Sequence, residues 1–216
     1  MKKILSILTV FILMTGLAQS QDKPASMGFK PSSYYTFSWN TTFTMGDFNK
    51  WVGNASPAGF DLGGRYFIKG GLAAGFNICW QRVSQSYGYQ TYYGNDGSAI
   101  TATNYRFTWM VPFQAVIAYH FIPDKMVSPY LGLGIGGDYM EHHLLIQEFD
   151  LYKTRWDFSL TPEIGALVKF GYYSSWGALI AFNYKWTTNK IDFTNNWSSK
   201  DLQMLNLKIG LSYIIR

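Results

Sequence analysis

The sequence has a single cysteine, Cys79, and little charge of either sign. One cysteine excludes an internal disulfide framework, and Cys79 reads as a small buried side chain. Charged residues make up 14% of the chain, against about 25% in ordinary soluble domains. A water-soluble surface needs more charge than that. Beyond the N-terminal leader, no uninterrupted apolar run reaches the ~18 residues that a membrane helix requires. Nor is there a clustered basic face. Without Lys2 and Lys3 the 18 basic residues fall to 16, against 13 acidic ones, a net charge of +3 that is too small and scattered for nucleic acid.

The leader itself is legible. "MKK" is a charged start, "ILSILTVFILM" an apolar core, and "TGLAQS" places Ala18 and Ser20 before Gln21. This predicts a signal peptide over 1–20, followed by a short periplasmic segment over 21–33 and a single domain over 34–216. No cysteine follows the apolar core, so no lipid anchor is expected.

What the sequence has in quantity is aromatic residues, 19% of the chain, with 16 Tyr, 16 Phe and 8 Trp. They alternate. From Tyr105 every odd position to Phe121 is apolar or aromatic, while the even positions mix Arg106, Thr108, Gln114 and His120 with apolar residues. A period of two is a strand signal, and a helical period would scramble it. The same alternation predicts strands over Tyr35–Phe43, Phe60–Ile68, Leu72–Trp80, Tyr105–Phe121, Leu131–Tyr139, Trp156–Tyr172, Ala178–Trp186 and Leu205–Ile215.

Eight is an even number, as closure of an antiparallel barrel needs. The connections alternate too. Long ones fall at Asp47–Pro57, Ser86–Ala102, Gln147–Thr154 and Asp192–Lys200, and short ones follow Lys69, Phe121 and Tyr172. Outer-membrane barrels have long extracellular loops and short periplasmic turns, which puts both termini in the periplasm. A soluble barrel would turn its apolar face inward. Here low charge and aromatics towards the strand ends favour the apolar face outward, with girdles at both membrane interfaces. The fold expected is all-β, an eight-stranded antiparallel up-and-down transmembrane β-barrel. Pro112 and Pro162 are expected near the outer interface, where a missing ladder donor is tolerated.

The leader, "VPFQAVIAYHF", "SPYLGLGIGGDY", "TPEIGALVKFGY" and the terminal "LKIGLSYIIR" resemble the small outer-membrane β-barrel families, OmpX, OmpW and PorT-like. Arg216 stands where those families usually end in an aromatic residue. The resemblance implies location and architecture: a bacterial outer-membrane protein, a monomer, meeting membrane lipid and lipopolysaccharide and inserted by the barrel assembly machinery. Its members differ in function, so it names none.

The opposite parity collects charge in the lumen. Asp61, Asp138, Asp157 and Glu163 are expected to meet Arg65, Arg106, Lys169, Lys185 and Lys208 there. An eight-stranded interior is only wide enough for side chains, and charges inside it must pair. The network is therefore either a structural plug or the gate of a narrow pore. Gly132, Gly134 and Gly136 share one strand parity and leave room for large inward side chains, so "GLGIGGD" is no dinucleotide loop. In "DYMEHH" alternation separates Glu141 and His143 from Asp138 and His142, and no metal site is expected. Candidate His residues lie at both rims, but no nucleophile–base–orienter set is readable, and no cofactor or catalytic residue is assigned. The tyrosine-, glycine- and serine-rich stretch Ser86–Ala102 suits a solvated loop or a recognition surface. The function expected is non-enzymatic, envelope-structural or surface-binding through the loops. A narrow channel for small or hydrophobic solutes is the alternative, and a lipid-modifying envelope enzyme the third reading.

Overall fold

The computed structural model describes residues 31–93, 96–147, 149–188, 192–194, 197–198 and 201–216. The expected signal peptide over 1–20, and the segment 21–33 up to its last three residues, lie outside the described residues. The elements are β1 (Ser33–Met45), α1 (Gly46–Trp51), β2 (Gly59–Lys69), β3 (Leu72–Tyr93), β4 (Ala99–His120), β5 (Val127–Ile146), β6 (Phe149–Lys169), β7 (Trp176–Thr187), the short pair β8 (Asp192–Thr194) and β9 (Trp197–Ser198), and β10 (Leu202–Ile215).

Eight of these strands form a closed barrel, β1 to β7 and then β10, each antiparallel to its neighbours. Closure comes from β1 and β10, which pair from Ser33↔Ile215 to Met45↔Gln203. The alternation of the sequence is the alternation of the walls. On β1, Thr36, Ser38, Asn40 and Thr42 are buried in the lumen, while Tyr35, Phe37, Trp39 and Phe43 face outward, Trp39 with 61% of its surface exposed. No water-soluble monomer leaves so continuous an apolar ring uncovered. Trp80, Trp109, Tyr139, Trp156 and Trp186 lie near one margin of this belt; Tyr35, Tyr66, Tyr119, Trp176 and Tyr213 lie near the other. On β4 the two margins, Trp109 and Tyr119, are ten positions apart, the length of a tilted strand crossing a bilayer (~9–11 residues).

Two expected loops are largely strand. The β3–β4 ladder continues to Tyr93↔Ala99, with a bulge between Tyr87 and Tyr89, so Ser86–Ala102 is a hairpin tip and not an irregular loop. The β5–β6 ladder continues to Ile146↔Phe149, so Gln147–Thr154 shrinks to a tight turn at Gln147, whose φ is 53°. The reason lies in the side chains. Above the belt the outward face meets water, so alternation there no longer shows as apolar against polar. The Asp47–Pro57 connection opens with the six-residue helix α1, and the Asp192–Lys200 connection carries the β8–β9 pair.

The two prolines behave alike in the ladder and differ in depth. Pairing of β4 with β3 skips Val111 and Pro112, between Phe113↔Ile78 and Met110↔Gln81. Pairing of β6 with β7 skips Thr161 and Pro162, between Leu160↔Trp186 and Glu163↔Asn183. Neither break shifts the register; each omits the donor that proline lacks. Pro112 stands three positions from Trp109, close to the belt margin as expected. Pro162 does not: β6 ends at Lys169, not Tyr172, which leaves this outward-facing proline near the middle of the belt.

Candidate functional site

The lumen is filled in three layers. At the long-hairpin end, α1 folds into the mouth. Gly46, with φ +57°, makes the turn out of β1 that a side chain would strain. Phe48 and Trp51 then drop among Val52, Val83, Met110, Met140, Leu144, Leu202 and Met204, all buried. The Trp51 indole donates to Thr108 Oγ1 at 3.2 Å, and that hydroxyl lies 2.9 Å from His142 Nδ1. Thr44 Oγ1 donates to the Val52 carbonyl at 2.5 Å and Tyr87 Oη to that of Trp51 at 3.0 Å, fixing the C-terminal end of the cap.

At the short-turn end Tyr34, Phe67, Ala73, Leu167 and Ile214 form a second apolar layer, beside Ala118, Tyr130, Leu179 and Ala181. His120 sits within it, Nε2 3.0 Å from Tyr34 Oη and Nδ1 3.0 Å from Ser128 Oγ. This is a hydroxyl, an imidazole and a phenol in line. All three are buried, so the hydroxyl presents no face to a substrate.

Between the two apolar layers lies the charge. Lys208 Nζ stands 2.9 Å from Asp61 Oδ2 and 3.1 Å from Glu163 Oε2. Glu163 also accepts from Tyr130 Oη at 2.8 Å and from Asn183 Nδ2 at 3.3 Å, and Asp61 from Asn77 Nδ2 at 2.5 Å. Lys185 contacts Asp138 directly. Arg65 donates through Nη1 to the carbonyls of Gly64 at 3.0 Å and Phe76 at 2.6 Å. Three carboxylates therefore face three cations, which cancels the charge of the layer. A chain of amides, Gln81 to Asn206 (3.1 Å), Asn206 to Asn183 (2.8 Å) and Asn183 to Glu163, ties β3, β10, β7 and β6 into it. The void bounded by Arg65, Asn77, Gln114, Thr161, Glu163 and Lys208 measures about 10 Å³, room for no more than a single water.

Of the nine residues expected in one network, six lie in this layer: Asp61, Arg65, Asp138, Glu163, Lys185 and Lys208. Arg106 is higher, within the cap, its guanidinium 4.9 Å over the Trp51 ring and 4.4 Å over Tyr87, with Nη2 donating to Gln90 at 2.9 Å. Lys169 is at the opposite end, donating to the Pro123 carbonyl at 2.9 Å. Asp157 stands opposite Asp138 in the β5–β6 ladder but is half-exposed, where the six are buried. Parity places all nine inward and says nothing of height. The partners that complete the layer, Asn77, Tyr130, Asn183 and Asn206, share that parity and were legible only as polar or aromatic inward positions.

Outside the lumen the hairpins carry a second arrangement. Phe107, His143 and Tyr152 stack side by side across β4, β5 and β6, with centroids 4.3 and 5.7 Å apart. Asp150 lies 3.1 Å from His143 Nδ1, and Glu141 3.7 Å from Nε2. Among the described residues no group of three His, Cys, Asp or Glu side chains is placed to hold a metal. At the tip of the β3–β4 hairpin, the Ser98 hydroxyl and amide donate to Asp96 and hold its carboxyl below the usual range.

An aromatic-margined apolar belt around a lumen filled by a charge-balanced central layer defines a transmembrane β-barrel of the outer-membrane type. Solved structures of that type share the fold. Neisserial surface protein A is 13% identical, over 86% of this chain and 98% of its own, with a TM-score of 0.50. The attachment invasion locus protein Ail of Yersinia pestis is 14% identical, over 87% of this chain and all of its own, with a TM-score of 0.48. No family model matches the chain, and no curated protein matches it in sequence. At these identities the likeness speaks for fold alone.

Proposed function

We propose that the protein is a closed, non-conducting and non-enzymatic barrel of the bacterial outer membrane, acting at the cell surface through its β3–β4 and β5–β6 hairpins, with both termini in the periplasm. The observation that carries this reading is the filled lumen: among the described residues an apolar cap, a paired charge layer and a second apolar layer occupy its length, which supports a barrel closed to solutes. The hairpins support the surface role. They extend the sheet past the Trp109–Trp156 margin and expose Tyr89, Tyr93 and Tyr152, large amphipathic side chains of the kind recognition surfaces use. Direction follows from the connections, since the short turns of such barrels face the periplasm.

Two measurements test it. Purified protein in planar bilayers gives no unitary conductance steps; reproducible channel openings would overturn the closed reading. A Tyr93→Cys variant in intact cells reacts with a membrane-impermeant maleimide; labelling only after the outer membrane is broken would reverse the orientation. The narrow-channel reading requires both the Phe48–Trp51 cap and the Lys208 ion pairs to move, and nothing in the packing favours that.

A further inference from the structure

The cations inside the barrel are answered by carboxylates, carbonyls or amide oxygens, and Lys50 on the surface pairs with Asp47 at 2.7 Å. Arg82 differs. It is on the outward face of β3, opposite Trp109 in the ladder, where the aromatic margin ends. Its guanidinium lies 4.8 Å from the Phe107 ring centre and 5.5 Å from that of Trp109. Among the described residues its side chain makes one hydrogen bond, the long donation from Nη2 to Tyr105 Oη at 3.3 Å, and Nε is shielded without an acceptor. No carboxylate pairs with it among the described residues. The nearest carboxylate across the ladder, Glu141, is engaged by Tyr139 Oη at 2.5 Å and faces His143.

Below Arg82 the wall is aromatic. Phe60 stacks on Trp80 at 5.6 Å, and Trp80 meets Trp109 edge-on at 5.2 Å. Ile78 and Phe113 continue the surface into the belt, both exposed. A guanidinium set against rings at the edge of a hydrocarbon layer, with one long hydrogen bond from its terminal N–H groups and no carboxylate partner among the described residues, suits an anion that arrives with the layer. Arginine binds phosphate through paired N–H donors. We infer that this face is a lipid site. Arg82, with Tyr105 beside it, binds the phosphate of an outer-leaflet lipid, and an acyl chain lies over Phe60, Trp80, Ile78 and Phe113. The site is continuous with the lipid-facing belt and separate from the hairpin tips. It takes its leaflet from the orientation proposed above.

The test is native mass spectrometry on the folded full chain in detergent, with diphosphoryl lipid A, enzymatically dephosphorylated lipid A and inorganic phosphate as probes. Wild type retains diphosphoryl lipid A at least ~10-fold more tightly than Arg82→Gln, Arg82→Lys falls between, and Lys125→Gln equals wild type. Dephosphorylated lipid A binds wild type as weakly as Arg82→Gln binds the phosphorylated form. Inorganic phosphate at equal concentration does not displace the lipid. The site is overturned if Arg82→Gln binds diphosphoryl lipid A like wild type, or if removing the phosphates from the lipid changes nothing; displacement by inorganic phosphate would overturn the acyl-chain half. The dephosphorylation arm uses wild type, so a variant that misfolds does not shelter the idea. A reversed orientation shows in the Tyr93→Cys labelling and leaves Arg82-dependent binding in detergent intact.

Discussion

The ammonium of Lys208 lies 2.9 Å from the Asp61 carboxylate inside the lumen, two strands away and about two thirds of the chain apart in sequence. The pair can form only when β1 has closed on both β2 and β10. It therefore reports closure itself, and Glu163 on the other side of Lys208 extends that report to β6.

Removing the cation leaves the Asp61 and Glu163 carboxylates without their ion-pair partner in a buried layer, with Arg65 and neutral donors as the remaining compensation. Lys208→Met is expected to destabilise the folded barrel by about 3–5 kcal/mol, read from denaturant unfolding in lipid vesicles. Lys208→Met combined with Asp61→Asn and Glu163→Gln regains most of that loss, because neutral amides keep the shape and the hydrogen bonds. A single substitution costing under about 1 kcal/mol would mean that water or ions already enter the layer.

The three glycines of "GLGIGGD" are expected to part company. A Cβ on Gly132 meets nothing closer than 3.6 Å, so Gly132→Ala folds as wild type. On Gly134 it comes 2.8 Å from Gln114 Oε1, the end of a side chain that can swing. That costs about 1 kcal/mol, because Gln114 also donates to Ser159 and Thr161. On Gly136 it lands 1.9 Å from the Phe113 carbonyl, which is backbone and cannot swing. Gly136→Ala blocks or severely impairs folding, seen as loss of the heat-modifiable band on gels. Equal yields of folded Gly132→Ala and Gly136→Ala would refute the ordering.

The cap is a local structure and should fail locally. Trp51→Ala removes a large, fully buried side chain together with its bond to Thr108, and such truncations cost about 3–5 kcal/mol. That loss falls on the 46–58 segment, not on the strands. Limited proteolysis is expected to cut the variant in this segment while the strands stay protected. If Trp51→Ala unfolds the whole barrel at lower denaturant with no local cleavage, the cap is part of the cooperative unit.

The barrel was readable from the sequence because two separate patterns coincide: alternation within each strand and alternation of connection lengths. Parity also placed the six charges of the neutral layer inward. Height was not readable, since it depends on the stagger between strands, which no single strand reveals. That is why Arg106 and Lys169, inward like the rest, end up at opposite ends of the lumen. The hairpin tips were hidden for another reason. In Tyr87–Tyr93 and Ala99–Thr103 the outward face has left the lipid belt, so tyrosine, threonine and glutamine follow one another there with little apolar contrast, and Ala102 is buried with the cap. Arg82 was not legible because it lies beyond the expected strand end at Trp80, and a lone cation there carries meaning only once its neighbours are known.

The stack of Phe107, His143 and Tyr152 bridges both hairpins beyond the belt, and its effect should be confined there. Cross-strand ring pairs contribute roughly 0.5–1.5 kcal/mol. His143→Ala takes out the middle ring and the acceptors' common partner, parting Phe107 from Tyr152 and freeing Asp150. Hydrogen exchange is expected to quicken several-fold at Leu144–Ile146 and Phe149–Tyr152, while amides at Tyr130–Ile135 within the belt keep wild-type rates. His143→Phe, which restores a ring without the charge partners, recovers most of the protection. Unchanged exchange at the tip in His143→Ala would show that the ladder alone holds the hairpins rigid, and that the stacked rings serve some purpose other than stiffness.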